Sequence, residues 1–198
     1  MRPILFLCLL LASCAGEPRY DPRSDYEEVD ATTVIDAPGA KPGRYAPAER
    51  DAVARGEYLV ELLGCGSCHT DGALAGEPDM VRPLAGSRIG IAWTSPLDVR
   101  YPGVVYPANI TPDIETGIGA WSDPQIANAI RAGIGRHGDR RIATMPWQGY
   151  ATLTDDDVRA IVSYLRSVDP VTHRVPDEAL PGSRAREPFV YFGVYRSR

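Results

Sequence analysis

Seven consecutive residues, Gly64-Cys65-Gly66-Ser67-Cys68-His69-Thr70, constrain this chain more than any other stretch. They read C-x-x-C-H. At this spacing two thiols on one tight turn reach the two vinyl groups of a haem, and the next side chain, an imidazole, meets the iron from the same side. C-x-x-C also fits a zinc half-site or a redox dithiol. A zinc site built from two such pairs needs a second pair, and the sequence has none. A redox dithiol normally follows a βαβ pattern, and none surrounds Cys65. The motif therefore predicts one haem c, covalently held by Cys65 and Cys68, with His69 as an axial ligand of its iron.

The 198 residues suffice for one domain with a core, plus tails. A net charge of −5 gives no reason to expect a nucleic-acid partner. Frequent proline and glycine predict many turns and few long elements.

The N-terminus reads as a processing segment. Met1 and Arg2 precede an apolar run from Ile4 to Ala12, too short to cross a bilayer. The run closes on Leu11-Ala12-Ser13-Cys14, which resembles the lipobox of bacterial lipoproteins. That resemblance implies cleavage before Cys14 and lipid on its thiol and new amino group; several acyl chains anchor firmly. Cys8 leaves with the signal, and the remaining three cysteines are then used up by lipid and haem. Residues 14–47 are rich in Pro, Gly and charged side chains and read as a tether. The expected division is a signal at 1–13, a lipid-anchored linker at 14–47, a domain at 48–170 and a C-terminal extension at 171–198.

Within the domain, Val53, Leu59, Val60, Leu62 and Leu63 predict a helix over 48–63, begun near Pro47 and ended by Gly64. Gly56 in its middle suggests close approach of another helix. The run 91–109, with Trp93, Tyr101 and Tyr106 among prolines, supports no assignment. Ser122-Asp123-Pro124-Gln125 is a capping-box helix start. Arg136, His137, Arg140 and Arg141 form a basic loop. A last helix opens at Thr154 with three aspartates in its first turn and a stripe of Val158, Ile161, Val162 and Leu165. Phe189-Val190-Tyr191-Phe192 reads as a strap packed on the domain.

Cys65–His69, Pro83, Asn109-Ile110-Thr111-Pro112, Gly117-Ile118-Gly119-Ala120-Trp121-Ser122, Met145-Pro146 and the final helix occur in an order similar to class I cytochromes c. More closely, they resemble the haem domains of membrane-bound alcohol and gluconate dehydrogenase cytochrome c subunits. The resemblance implies an all-α fold with long loops around the haem, whose first and last helices cross near Gly56 and Tyr164. It implies His/Met ligation by His69 and Met145, a Pro83 carbonyl accepting from the His69 Nδ1–H, and Asn109 and Trp121 in the haem pocket. Those subunits carry several C-x-x-C-H motifs and this chain carries one, so the electron partner stays open.

Three functions compete. The first is a membrane-tethered, non-enzymatic electron carrier of the bacterial envelope. It would face the periplasm, with the outer membrane slightly favoured, and exchange electrons with a dehydrogenase, an oxidase or another cytochrome. The second is a haem protein with an open sixth site, a peroxidase or gas sensor, in which Met145 is a core residue and His137 is a rival ligand. The third is a structural lipoprotein with a vestigial motif.

Overall fold

Two helices separated by almost the whole domain make the principal contact of this protein. α1, Arg50–Leu62, turns Val53, Gly56, Leu59 and Val60 inward. α5, Asp155–Ser167, turns Val158, Ala160, Ile161, Val162, Tyr164 and Leu165 against them. The apolar positions recur every three or four residues, so each helix presents one stripe, and each large side chain fully buried there contributes about 1.5–3 kcal/mol. At the crossing, a methyl on Gly56 would strike the Ala160 carbonyl and lie 2.6 Å from Tyr164 Cβ. The structure, a computed structural model, describes residues 27, 29–32, 34–94, 97 and 99–192. Cys14, the signal segment and the linker up to residue 26 lie outside the described residues.

Local chemistry sets the helix ends. A 3-10 turn, Pro47–Glu49, leads into α1, and Glu49 Oε2 accepts from the Ala46 N–H at 2.8 Å. Gly64, at φ 67°, ends the run with a left-handed residue that a side chain would disfavour. α2, Cys65–His69, follows at once. α3, Asp123–Ala132, starts on the expected capping box: Ser122 Oγ accepts from the Gln125 N–H, and the Ser122 N–H donates to Gln125 Oε1 at 2.8 Å. α4, Trp147–Tyr150, is a single turn. Thr154 Oγ1 caps α5 by accepting from the Asp157 N–H at 3.1 Å.

The expectation of an all-α fold is corrected by a three-stranded mixed sheet. β1 is Gly90–Ala92, β2 is Val104–Val105 and β3 is Phe189–Tyr191, in the order β2-β1-β3. β2 runs antiparallel to β1, pairing Ile91 with Val105; β3 runs parallel to it, pairing Ile91 with Val190. The physical reason is a second apolar cluster, in which Ala92, Val104 and Tyr106 are covered by Val175, Ala179, Phe189 and Tyr191. Branched and aromatic residues favour a pleated surface. Strands of two or three residues are too short to show an alternation that would reveal them.

Part of the stretch read as a tether packs on the domain. The Thr32 N–H donates to Ala73 O at 2.8 Å, the Lys41 N–H to Ser167 O at 2.9 Å, and the Tyr164 hydroxyl to Pro38 O at 2.6 Å. Ile35 is buried, and its Cβ lies 3.2 Å from where a Gly66 side chain would begin. Among the described residues no helix is long and apolar enough to cross a membrane.

Candidate functional site

Gly64 breaks α1 and the chain re-enters helical geometry as α2, so Cys65, Cys68 and His69 share one turn behind the two-helix crossing. Both thiols are free and half-buried. Burial, reinforced by the neighbouring Cys68, pushes the Cys65 thiol up to about 12, and burial moves Cys68 in the same direction. Reactive dithiols need the opposite shift, because the thiolate is the nucleophile.

His69 is half-buried, and burial holds its ring below the ordinary imidazole range, against the opposing pull of a hydrogen bond to Ala108. The ring is therefore neutral at pH 7. Its Nδ1 lies 2.7 Å from Ala108 O, and a carbonyl can only accept, so Nδ1 carries the proton. Nε2 keeps its lone pair for a metal. The sequence pointed to a proline carbonyl; the acceptor is Ala108, not Pro83. Pro83 is half-buried and precedes Leu84, which sits at φ 61° with its N–H donating to Thr70 Oγ1 at 3.2 Å.

Asn109 is buried, and its amide is fully engaged. Nδ2 donates to Val171 O at 2.7 Å and Thr116 Oγ1 at 3.0 Å, while Oδ1 accepts from the Thr111 N–H at 2.9 Å and the Thr111 hydroxyl at 2.7 Å. Trp121 is half-buried against the helical core. Its turn is tied to α5 by Arg166, which donates to Ile118 O at 3.0 Å and pairs with Asp123 at 3.0 Å.

Met145 is half-buried just ahead of α4, where the Trp147 N–H donates to its carbonyl at 2.8 Å. α4 returns the chain to the cysteine turn: the Tyr150 hydroxyl donates to Leu63 O at 3.2 Å. Burial, with smaller contributions from Cys65 and Cys68, pushes that phenol up to about 12. Trp147 packs its indole on Gly133, and its Nε1–H is buried with no acceptor among the described residues. In the basic loop, Arg140 lies over the Trp147 ring at 5.5 Å, Arg141 pairs with Glu178 at 2.9 Å, and His137 is exposed.

These residues fit a covalently held haem. Two half-buried thiols three positions apart and, directly after them, an imidazole whose Nδ1–H is held by Ala108 O are the groups that would hold it, while the buried Trp147 Nε1–H, two residues from Met145, is left without an acceptor among the described residues. Among the described residues no group of three or more His, Cys, Asp or Glu side chains is placed to hold a bare metal ion. Reading the sequence missed Ala108, Thr116, Tyr150 and His173. Ala108 contributes only a backbone carbonyl, which no sequence signal marks.

Comparison with known proteins agrees with this chemistry. The family model for cytochrome c matches residues 53–169. The gluconate 2-dehydrogenase cytochrome c subunit of Pantoea cypripedii is 35% identical over 130 residues, 65% of this chain and 26% of that one. The cytochrome c subunit of the quinone alcohol dehydrogenase of Gluconobacter oxydans (strain 621H) is 36% identical over 137 residues, 68% of this chain and 26% of its own. The fructose dehydrogenase cytochrome subunit of Gluconobacter japonicus is 36% identical over 137 residues, covering 69% and 25%. The chain spans about a quarter of the length of these relatives.

Proposed function

The chain belongs to the cytochrome c family, and on that premise we propose that it is a membrane-tethered, single-haem electron carrier whose iron is held by His69 and Met145. The observation that carries this reading is the 2.7 Å bond from His69 Nδ1 to Ala108 O, directly after the two thiols. It fixes the tautomer and turns Nε2 into the available donor. When bound, the haem supplies one-electron chemistry. The protein's own part would be to hold the cofactor through Cys65 and Cys68, to orient His69, and to supply Met145, just ahead of α4, as the second ligand. With His69 and Met145 both as ligands the iron would have no position left for a substrate, which is why we read a carrier and not an enzyme. Thioether ligation favours ferrous iron and raises the potential.

The relatives are named as cytochrome subunits of gluconate, alcohol and fructose dehydrogenases. They support a dehydrogenase as a redox partner of this chain. A ferrous-minus-ferric spectrum with and without carbon monoxide tests the reading. A haem c spectrum unchanged by the gas is expected; ready carbon monoxide binding moves the open-site alternative ahead, and absence of haem bands sinks both.

We place the carrier in the bacterial envelope, facing the periplasm on a Cys14 lipid anchor, with the outer membrane favoured. Leu11-Ala12-Ser13-Cys14 after the apolar run supports the anchor, and Ala15 after Cys14 leans slightly toward the outer membrane. Cys14→Ser is expected to move the protein from the membrane to the soluble fraction or to block its processing. Unchanged partition and processing would remove the anchor.

A further inference from the structure

The first residues of the C-terminal extension, beyond the 53–169 family match, converge on the backbone that touches His69. Val171 O accepts from Asn109 Nδ2 at 2.7 Å, and the Val171 N–H donates to Thr111 Oγ1 at 3.1 Å. The Thr172 hydroxyl donates to Asp113 Oδ2 at 2.9 Å. The His173 N–H donates to Thr116 Oγ1 at 3.0 Å, and His173 Nδ1 lies 2.9 Å from Ala85 O. Thr116 is the junction: its hydroxyl accepts from Asn109 Nδ2 and the His173 N–H and donates to Asp113 Oδ1 at 2.7 Å.

Both stretches held in this way are hydrogen-bonded to His69. Ala108 O, next to Asn109, accepts from the ring Nδ1–H, and Gly86, next to Ala85, donates its N–H to His69 O at 2.8 Å. All three segments meet at Gly86. At its φ of 85°, an added methyl would lie 2.6 Å from Asn109 N, 2.8 Å from the Ala108 carbonyl carbon and 2.6 Å from Val175 Cγ1. Backbone packed this closely has no slack to take up a displacement on one side.

We propose that residues 171–175 are a clamp that sets the His69 Nδ1–H···O bond, with Asn109 and Thr116 as positioning residues acting through Ala108. A backbone carbonyl on the far ring nitrogen makes imidazole a stronger donor. A stronger donor favours ferric iron, so loosening the clamp shifts the balance toward ferrous. This rests on the reading of His69 as the iron's ligand.

The test compares the full-length haem-loaded protein with Thr116→Val, which removes the junction hydroxyl at nearly constant volume, and Thr116→Ser, which restores it. Asn109→Ala is the harsher companion. Thr116→Val is expected to shift the redox equilibrium about threefold toward ferrous, about 30 mV at 59 mV per tenfold for one electron. The His69 Nδ1–H, followed by NMR in the ferrous state, is expected to exchange with solvent about tenfold faster. Thr116→Ser is expected to return both to wild-type values. A Thr116→Val protein with an intact haem spectrum and unchanged potential and exchange overturns the clamp alone. One that loses its fold also overturns it, because the network then carries stability and not ligand geometry. A wild-type protein without a haem c spectrum removes the ligand reading, and the clamp with it.

Discussion

Met145→Ala is expected to keep its covalent haem, lose about 200 mV of reduction potential and bind carbon monoxide in the ferrous state. Axial ligands span about 0.8 V across haem proteins, so exchange of a thioether for water or an empty position sits well inside that range. The direction follows from the sulfur, which is neutral and soft and stabilises ferrous iron. Attachment survives because Cys65, Cys68 and His69 lie on α2, far along the chain from Met145. The weak red sulfur-to-iron band of the ferric protein is expected to vanish. Met80 is the competing methionine, but it follows His69 closely in the chain and is exposed. Retention of the band in Met145→Ala, or rapid carbon monoxide binding by the wild type, would falsify the assignment.

Gly56→Ala is expected to destabilise the fold by about 2 kcal/mol or more, although alanine is the better helix former. Propensity favours alanine by about 1 kcal/mol. Against it, the methyl meets the Ala160 carbonyl and lies 2.6 Å from Tyr164 Cβ, both on the facing helix. Overpacking a tight contact of this kind costs about 1–3 kcal/mol, and more where the neighbour is backbone that cannot rotate away. For a chain of this size the melting temperature should fall by roughly 5 °C. Gly149→Ala is the control, since an added methyl there meets nothing within 4 Å. Thermal unfolding of both variants decides the matter; equal midpoints for Gly56→Ala and wild type would mean that α1 and α5 do not cross at Gly56.

Residues whose side chains act locally were readable in the sequence. Ser122 and Gln125 announce their helix start because each bonds the other's backbone three positions away. Thr154 and the aspartates after it do the same for α5. Cys65, Cys68 and His69 are legible because haem attachment fixes their spacing. Gly56 was legible for a different reason: a glycine inside an otherwise good helix needs a neighbour to explain it. Features made by backbone, or by residues far apart, were not readable. The acceptor for His69 is a carbonyl of Ala108, and any residue there carries one. The sheet joins Ile91 to Val190 across most of the domain, with strands too short for a periodic signal. Ile35 follows Val34 in a charged, proline-rich run with no periodic apolar pattern, yet Ile35 is buried and Val34 exposed; that burial rests on a notch at Gly66 that only the folded chain supplies.

The pairing of α1 with α5 also governs the order in which the molecule can assemble. Arg55 and Asp157, which pair at 3.0 Å across it, are 102 residues apart in sequence. Closing so long a loop costs about 2 kcal/mol more chain entropy than closing one of 10 residues, and non-local contacts of this kind slow folding. Along the chain α1 comes well before α5, and Val53, Leu59 and Val60 lack their main cover until α5 packs on them. Throughout that interval the Cys65–His69 turn is joined only to a helix that is marginal by itself. In that unclosed chain both thiols are more accessible than in the folded core, where they are half-buried.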